Sequence, residues 1–261
     1  MSIKTLLIIV SVILLGSALT ADDTPISTSA NLQLFPKVAH PDGGGYIFAW
    51  VSNLEPHFEV YARAFDSDLE NGSSEDDIST PTQADGHRLH AEVVSSIKET
   101  GQGTDYGAMV AWVDHKSDSV YVTRLSSDAS RDFLPKQVHP TNPDWLYTPP
   151  QMCSDGDGGA YFVWVSRYTI DEDNYYDTLR VGRVHSDGTF DDDWDPLTIS
   201  EDHPITLPRI CEDGSNGAKI AWVEKINMFD KIFTKDIIVK SVLEGYSKFQ
   251  INPYGDFRRS K

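Results

Sequence analysis

The sequence predicts an all-β fold made of four repeated, four-stranded sheets. Three observations carry that expectation. The motif Ala/Val-Trp-Val occurs four times, centred on Trp50, Trp112, Trp164 and Trp222, at spacings of 62, 52 and 58 residues. A repeat of this length marks stacked supersecondary units. A turn cluster rich in Asp and Gly precedes each tryptophan, and a glycine lies five residues before it in every unit: Gly45, Gly107, Gly159 and Gly217. The strand that carries the tryptophan is apolar without alternation, as in Tyr161-Phe162-Val163-Trp164-Val165. That is the pattern of a strand covered on both faces. No segment beyond the N-terminus has capped helical periodicity, so other sheets must supply the cover.

Each unit resolves into four strands. Strand A follows a proline in three units, Pro36, Pro150 and Pro208. The turns Pro41-Asp42-Gly43-Gly44, Asp155-Gly156-Asp157-Gly158 and Asp213-Gly214-Ser215-Asn216 supply the positive backbone dihedrals of a tight hairpin. The second unit lacks the proline, and its turn is expected to lengthen to Ile97–Asp105. Strand B is Tyr46–Val51, Met109–Val113, Ala160–Val165 and Ala218–Val223. Strand C carries one basic residue, Arg63, Arg124, Arg183 or Lys240, as in Glu59–Phe65 and Ile237–Val242. Strand D is weaker and polar, as in Leu197–Ser200 and Phe249–Asn252. Pro25-Ile26-Ser27-Thr28 resembles a D strand, and is expected either to close the ring beside the last unit or to form a spare edge.

Small sheets stacked face to face around an axis make a β-propeller, here of four four-stranded blades. The composite pattern Pro-x-Ile-x-x-Asp-Gly-x-Gly-Gly-Ala-x-x-x-Trp resembles the Asp-Gly/Trp repeats of secreted β-propeller-like proteins, over about Leu32 to Asn252. It lacks the Gly-His and Trp-Asp pairs of WD40 repeats and an intact sialidase Asp-box. The resemblance implies a fold and carries no catalytic residue to this chain. The repeats fall at about 32–85, 86–143, 144–203 and 204–253, in a single domain from 22 to 261.

Residues 1–21 read as a signal peptide. Lys4 supplies the charged start, Leu6–Leu15 the apolar run, and Gly16–Ala21 the small residues for cleavage. The run is shorter than the ~20 residues of a membrane span, so export without membrane insertion is expected. The formal charge of −18 excludes general attraction to nucleic acid, which needs Lys and Arg against phosphate. Asn71-Gly72-Ser73 is the one permitted glycosylation sequon. Cys153 and Cys211 each stand eleven residues before a tryptophan, as Ala39 does in the first unit. They are either two small buried residues or, in a secreted protein, an inter-blade disulfide.

The Asp-Gly turns offer Asp155, Asp157 and Asp213 as calcium donors, but a hairpin demands the same residues. The eight histidines make no metal motif; His87 and His90 lie in an extended segment. No nucleophile elbow, phosphate loop or cofactor motif is present. Asp191-Asp192-Asp193 beside Trp194 reads as a solvated turn. The face built from B–C loops and D–A connections is the richest in aromatic and acidic residues: Trp145, Tyr147, Tyr168, Asp173, Tyr175 and Tyr176. Flat rings beside acids and amides suit a sugar or a peptide. The expected function is therefore a secreted, non-enzymatic propeller that binds a carbohydrate or an extracellular protein there. The alternatives are a glycosidase-like enzyme using paired carboxylates and a structural extracellular component.

Overall fold

The computed structural model describes residues 24–41, 43, 45–54, 56–79, 87–117, 119–138, 145–146, 148–169, 175–190, 196–200, 204–214, 217–226, 234–241, 249–251 and 257–259. The expected leader, residues 1–21, lies outside them. Every element among the described residues is a strand, and none is a helix.

The strands form four antiparallel sheets. The first runs β1 (Gln33–Ala39), β2 (Gly45–Leu54), β3 (His57–Asp66) and β4 (Asp76–Asp77). The second runs β5 (Arg88–Thr100), β6 (Gly103–Asp114), β7 (Ser119–Ser126) and β8 (Lys136–Gln137). In the third, β9 (Trp145–Leu146) and β10 (Gln151–Ser154) both pair with β11 (Ala160–Thr169), followed by β12 (Tyr175–Val184) and β13 (Pro196–Ser200). The fourth runs β14 (Ile205–Glu212), β15 (Ala218–Ile226), β16 (Thr234–Ser241), β17 (Phe249–Ile251) and β18 (Phe257–Arg259).

The repeated residues have physical roles in this architecture. The glycine five before the tryptophan stands against the neighbouring strand's backbone. A Cβ on Gly45 would lie 2.7 Å from the Phe65 carbonyl oxygen, and one on Gly107 or Gly159 would collide with the Leu125 or Val184 carbonyl. The aspartate of the A–B turn organises the hairpin. The amides of Asp157 and Gly159 both donate to Asp155 Oδ1 at 2.8 Å, and Gly217 donates to Asp213 Oδ1 at 3.0 Å. Arg183 reaches back from β12 to the buried Asp155 Oδ2 at 2.8 Å. Arg124 does the same in the second sheet, pairing with Asp105 and Asp132 and donating to Ser96 Oγ. In the third sheet the basic residue of strand C thus ties down the A–B turn, with Asp155 Oδ1 taken by the turn amides and Oδ2 by Arg183, whereas Arg63 of the first sheet turns to the Ser73 and Ile26 carbonyls.

Three of the four tryptophans fill the seam with the preceding sheet. Trp112 packs with Ala49, Val51, Val60 and Ala62 of the first sheet. Trp164 packs with Met109, Ala111, Val120 and Val122 of the second, and Trp222 with Val163, Val165, Leu179 and Val181 of the third. Residues 160–166 of β11 are buried without a break, which explains the absence of alternation. In the seams β1 packs on β5, β5 on β10 and β10 on β14. The first full strands of all four sheets line one central cavity of about 610 Å³.

Three local expectations are corrected. The third and fourth sheets hold five strands rather than four, through β9 and β18. The second A–B turn is not long: β5 and β6 simply extend to a two-residue loop between Thr100 and Gly103. Lys98 is thereby carried over the neighbouring turn, where a Cβ on Gly158 would meet it. The segment around Ile26 forms no strand. It lies along the outer edge of the first sheet, where Thr28 N donates to Glu75 at 2.7 Å and Arg63 donates to the Ile26 carbonyl at 3.0 Å.

Candidate functional site

Three of the four inner strands carry the same irregularity near their N-terminal ends. The ladder slips between Leu34 and Lys37 on β1, between Leu89 and Glu92 on β5, and between Thr206 and Arg209 on β14. In each, two residues face one on the partner strand, which is a β-bulge. The first bulged residue has positive φ: Phe35 at 52°, His90 at 57° and Leu207 at 52°. A non-glycine residue held there costs on the order of 1–3 kcal/mol. At the corresponding place of the third unit stands Pro149, whose ring forbids positive φ, and β10 starts regularly at Gln151.

After each bulge the ladder resumes at an equivalent residue. Lys37, Glu92, Gln151 and Arg209 hold equivalent places, paired with Ala49, Ala111, Val163 and Ala221. Three of them meet across the strands. Lys37 Nζ lies 2.8 Å from Glu92 Oε1, and Gln151 Nε2 donates to the same oxygen at 3.3 Å. Glu92 Oε2 has no partner among the described residues. Around this mouth Phe35 is 44% exposed and Leu207 60% exposed.

Between the first two sheets the mouth continues into a cluster of rings. Phe35 lies 5.3 Å from His90, and His90 lies 6.2 Å from His115. His57 lies 6.2 Å from His87, which also meets Phe58 at 5.5 Å. Burial, then the charge of His115, holds His90 below its ordinary pKa, with Glu92 opposing. Beneath, the buried Arg88 pairs with Glu59 and stands 3.8 Å from Asp114. One guanidinium thus stands between the Glu59 and Asp114 carboxylates and offsets one of their two charges. No group of histidine, cysteine and acidic side chains suited to a metal ion occurs among the described residues.

The aromatic residues singled out in the sequence gather at one end of the third sheet. Trp145 is in register with Arg167, Tyr176 with Tyr168, and Tyr175 with Thr169. Arg167 lies over the Tyr175 ring at 3.9 Å and is held by Asp177 through two contacts of 2.6 and 2.8 Å. Tyr168 is 42% exposed. Tyr147, Asp173 and the run Asp191–Asp193 lie outside the described residues.

Cys153 and Cys211 are free thiols that line the central cavity, Cys153 buried and Cys211 exposed. Burial first, then the charges of Glu212 and Cys211, pushes the Cys153 thiol up to about 12. Asn71 is exposed and donates to Asp66 at 2.6 Å.

Sequence reasoning missed the ring of Lys37, Glu92, Gln151 and Arg209. A signal was present: Lys37, Gln151 and Arg209 each stand thirteen residues before their tryptophan. The lengthened hairpin of the second unit hides Glu92 from that count.

No family model matches the chain, and no curated protein matches it in sequence. Among solved structures it is similar to an exo-1,5-alpha-L-arabinanase from a bovine ruminal metagenomic library, with 9% identity, TM-score 0.42, and 87% of this chain and 77% of that chain covered. A levansucrase mutant of B. megaterium has 10% identity, TM-score 0.47, and coverage of 87% and 69%. An endo-arabinase of Bacteroides thetaiotaomicron has 15% identity, TM-score 0.45, and coverage of 85% and 80%. Alignments this loose transfer no residue. Nor do they carry an activity to this chain; the expectation of a non-enzymatic binding propeller is withdrawn, and its glycosidase-like alternative stands as a proposal.

Proposed function

We propose that this chain is a secreted, glycosidase-like β-propeller whose sugar site is the axial mouth on the face of the B–C loops and D–A connections. The observation that carries the reading is Glu92. Three inner strands accept left-handed, non-glycine bulges at that mouth, and strain of this kind clusters where a fold holds a ligand. The carboxylate raised there takes both its hydrogen bonds on Oε1, from Lys37 and Gln151. Oε2 is left to accept a proton from water or to attack a sugar carbon, the two roles a carboxylate plays in glycoside cleavage. Tyr168, Phe35 and Leu207 supply exposed apolar faces for sugar rings.

The sheets close as a four-bladed ring in this proposal. Trp50 supports it. By analogy with Trp112 it faces away from the second sheet, yet it is only 3% exposed. Secretion follows from the leader-like residues 1–21, and N-terminal sequencing of the exported protein should start near Ala21 or Asp22.

The test is release of sugars from a panel of polysaccharides by the exported protein and by Glu92→Gln. Wild type should release oligosaccharides. The variant should fold and bind but turn over about a hundredfold more slowly or worse, the usual contribution of a positioned acid or base. Unchanged turnover in Glu92→Gln, or no release from any polymer, would contradict the proposal.

A further inference from the structure

Among the described residues, six arginines are engaged within the fold. Arg88 is held by Glu59 and Asp114, Arg124 by Asp105 and Asp132, Arg167 by Asp177, and Arg183 by Asp155. Arg63 donates to two backbone carbonyls, and Arg180 to Ser166. Arg209 departs from this. It is exposed, and its one hydrogen bond among the described residues is to the carbonyl of Pro208, its own neighbour, at 2.8 Å. It has no carboxylate partner among them, in a chain with 40 acidic and 22 basic residues. It is also the fourth of the equivalent positions whose other three, Lys37, Glu92 and Gln151, are joined through Glu92 Oε1.

From this we infer that Arg209 reads a carboxylate on the substrate, so that the polymer taken at the mouth is an acidic one, built at least partly of uronate sugars. The inference rests on the sugar-site reading of the mouth. A guanidinium presents two parallel N–H groups that match the two oxygens of a planar carboxylate. The bulge at Leu207, immediately before Pro208 and Arg209, fixes the backbone from which the fork projects. Leu207, 60% exposed, adds an apolar surface beside the charge, the combination that a uronate ring with one carboxylate edge and apolar C–H faces requires. A sulfated sugar shares the negative charge and can also offer two oxygens to the fork, so dextran sulfate is the probe that distinguishes the two anions. With a net charge of −18, the rest of the surface repels anionic polymers, and binding must be local to this cation.

The test is binding of three probes to the exported protein: oligogalacturonate, dextran sulfate and neutral arabinan oligosaccharide. Oligogalacturonate should bind tightest, and its affinity should fall with added salt, because the contact is partly solvent-exposed. Arg209→Ala should weaken it about 10- to 100-fold, the worth of a charge-assisted hydrogen-bond pair. Arg209→Lys, which keeps the charge and loses the fork, should recover only part of this. Unchanged melting of both variants separates recognition from folding. The inference is overturned if neutral arabinan binds as tightly as oligogalacturonate, if dextran sulfate binds tighter, or if Arg209→Ala binds as wild type. The two readings fail separately. Arg209-dependent uronate binding with no cleavage of any polymer would sink the glycosidase proposal alone. Glu92-dependent cleavage of a neutral polymer, indifferent to Arg209, would sink this inference alone.

Discussion

In the turn after β7, Asp128 accepts hydrogen bonds from the Ser126 hydroxyl at 2.6 Å and the Ser130 amide at 2.9 Å. The Ser126 and Ser130 side chains hold its pKa down at about 2, below the ordinary 3.8. A lowered carboxyl contributes stability above its unfolded value and loses it as the pH falls through the folded one. The turn should therefore keep its geometry at pH 4 and loosen between about 3.8 and 2. The site is exposed, so the effect is local and screened. An NMR titration should give Asp128 a midpoint near 2, and Ser130→Ala should move that midpoint upward; an ordinary midpoint would show that the hydroxyls do not hold the carboxylate. The cysteines divide in the same physical terms. Cys153, buried and raised to about 12, should resist alkylation of the folded protein at pH 8, while exposed Cys211 reacts. Equal labelling of both would contradict the burial. Recovery of a Cys153–Cys211 peptide from exported protein would instead show the disulfide.

The strands explain why parts of the fold were readable and others were not. The glycine before each tryptophan is a residue type that its environment leaves little choice about, because a neighbouring carbonyl fills the place of its side chain. Gly159→Ala should cost about 1–3 kcal/mol or more by overpacking, and a denaturation midpoint equal to wild type would refute that. The apolar B strands were likewise legible, since burial on both faces erases alternation. The bulges were not. Phe35, His90 and Leu207 are not the residues that announce positive φ, and a slipped ladder depends on a partner strand that local sequence does not specify. The long second hairpin misled for a related reason: Gly101 to Gly103 reads as an open loop, but the strands pair up to its last residues. Of the candidate site, the aromatic residues were visible by composition. The polar ring at the axis was not, because its four members differ in type.

Packing of whole sheets rests on the seams. Trp164 is 1% exposed within the residues of the second sheet, so Trp164→Ala should cost ~3–5 kcal/mol. A melting temperature unchanged by that substitution would deny the seam its role. The same seams bring β1, β5, β10 and β14 around one cavity, and the four equivalent positions Lys37, Glu92, Gln151 and Arg209 each directly precede its lining residues in the chain. The most direct measurement of that claim is a crystal structure of the Glu92→Gln protein soaked with an oligosaccharide. The account predicts sugar in the axial mouth, in contact with Gln151, Lys37 and Arg209. Sugar seated on the A–B turn face, or only along an outer edge such as β4, would contradict it.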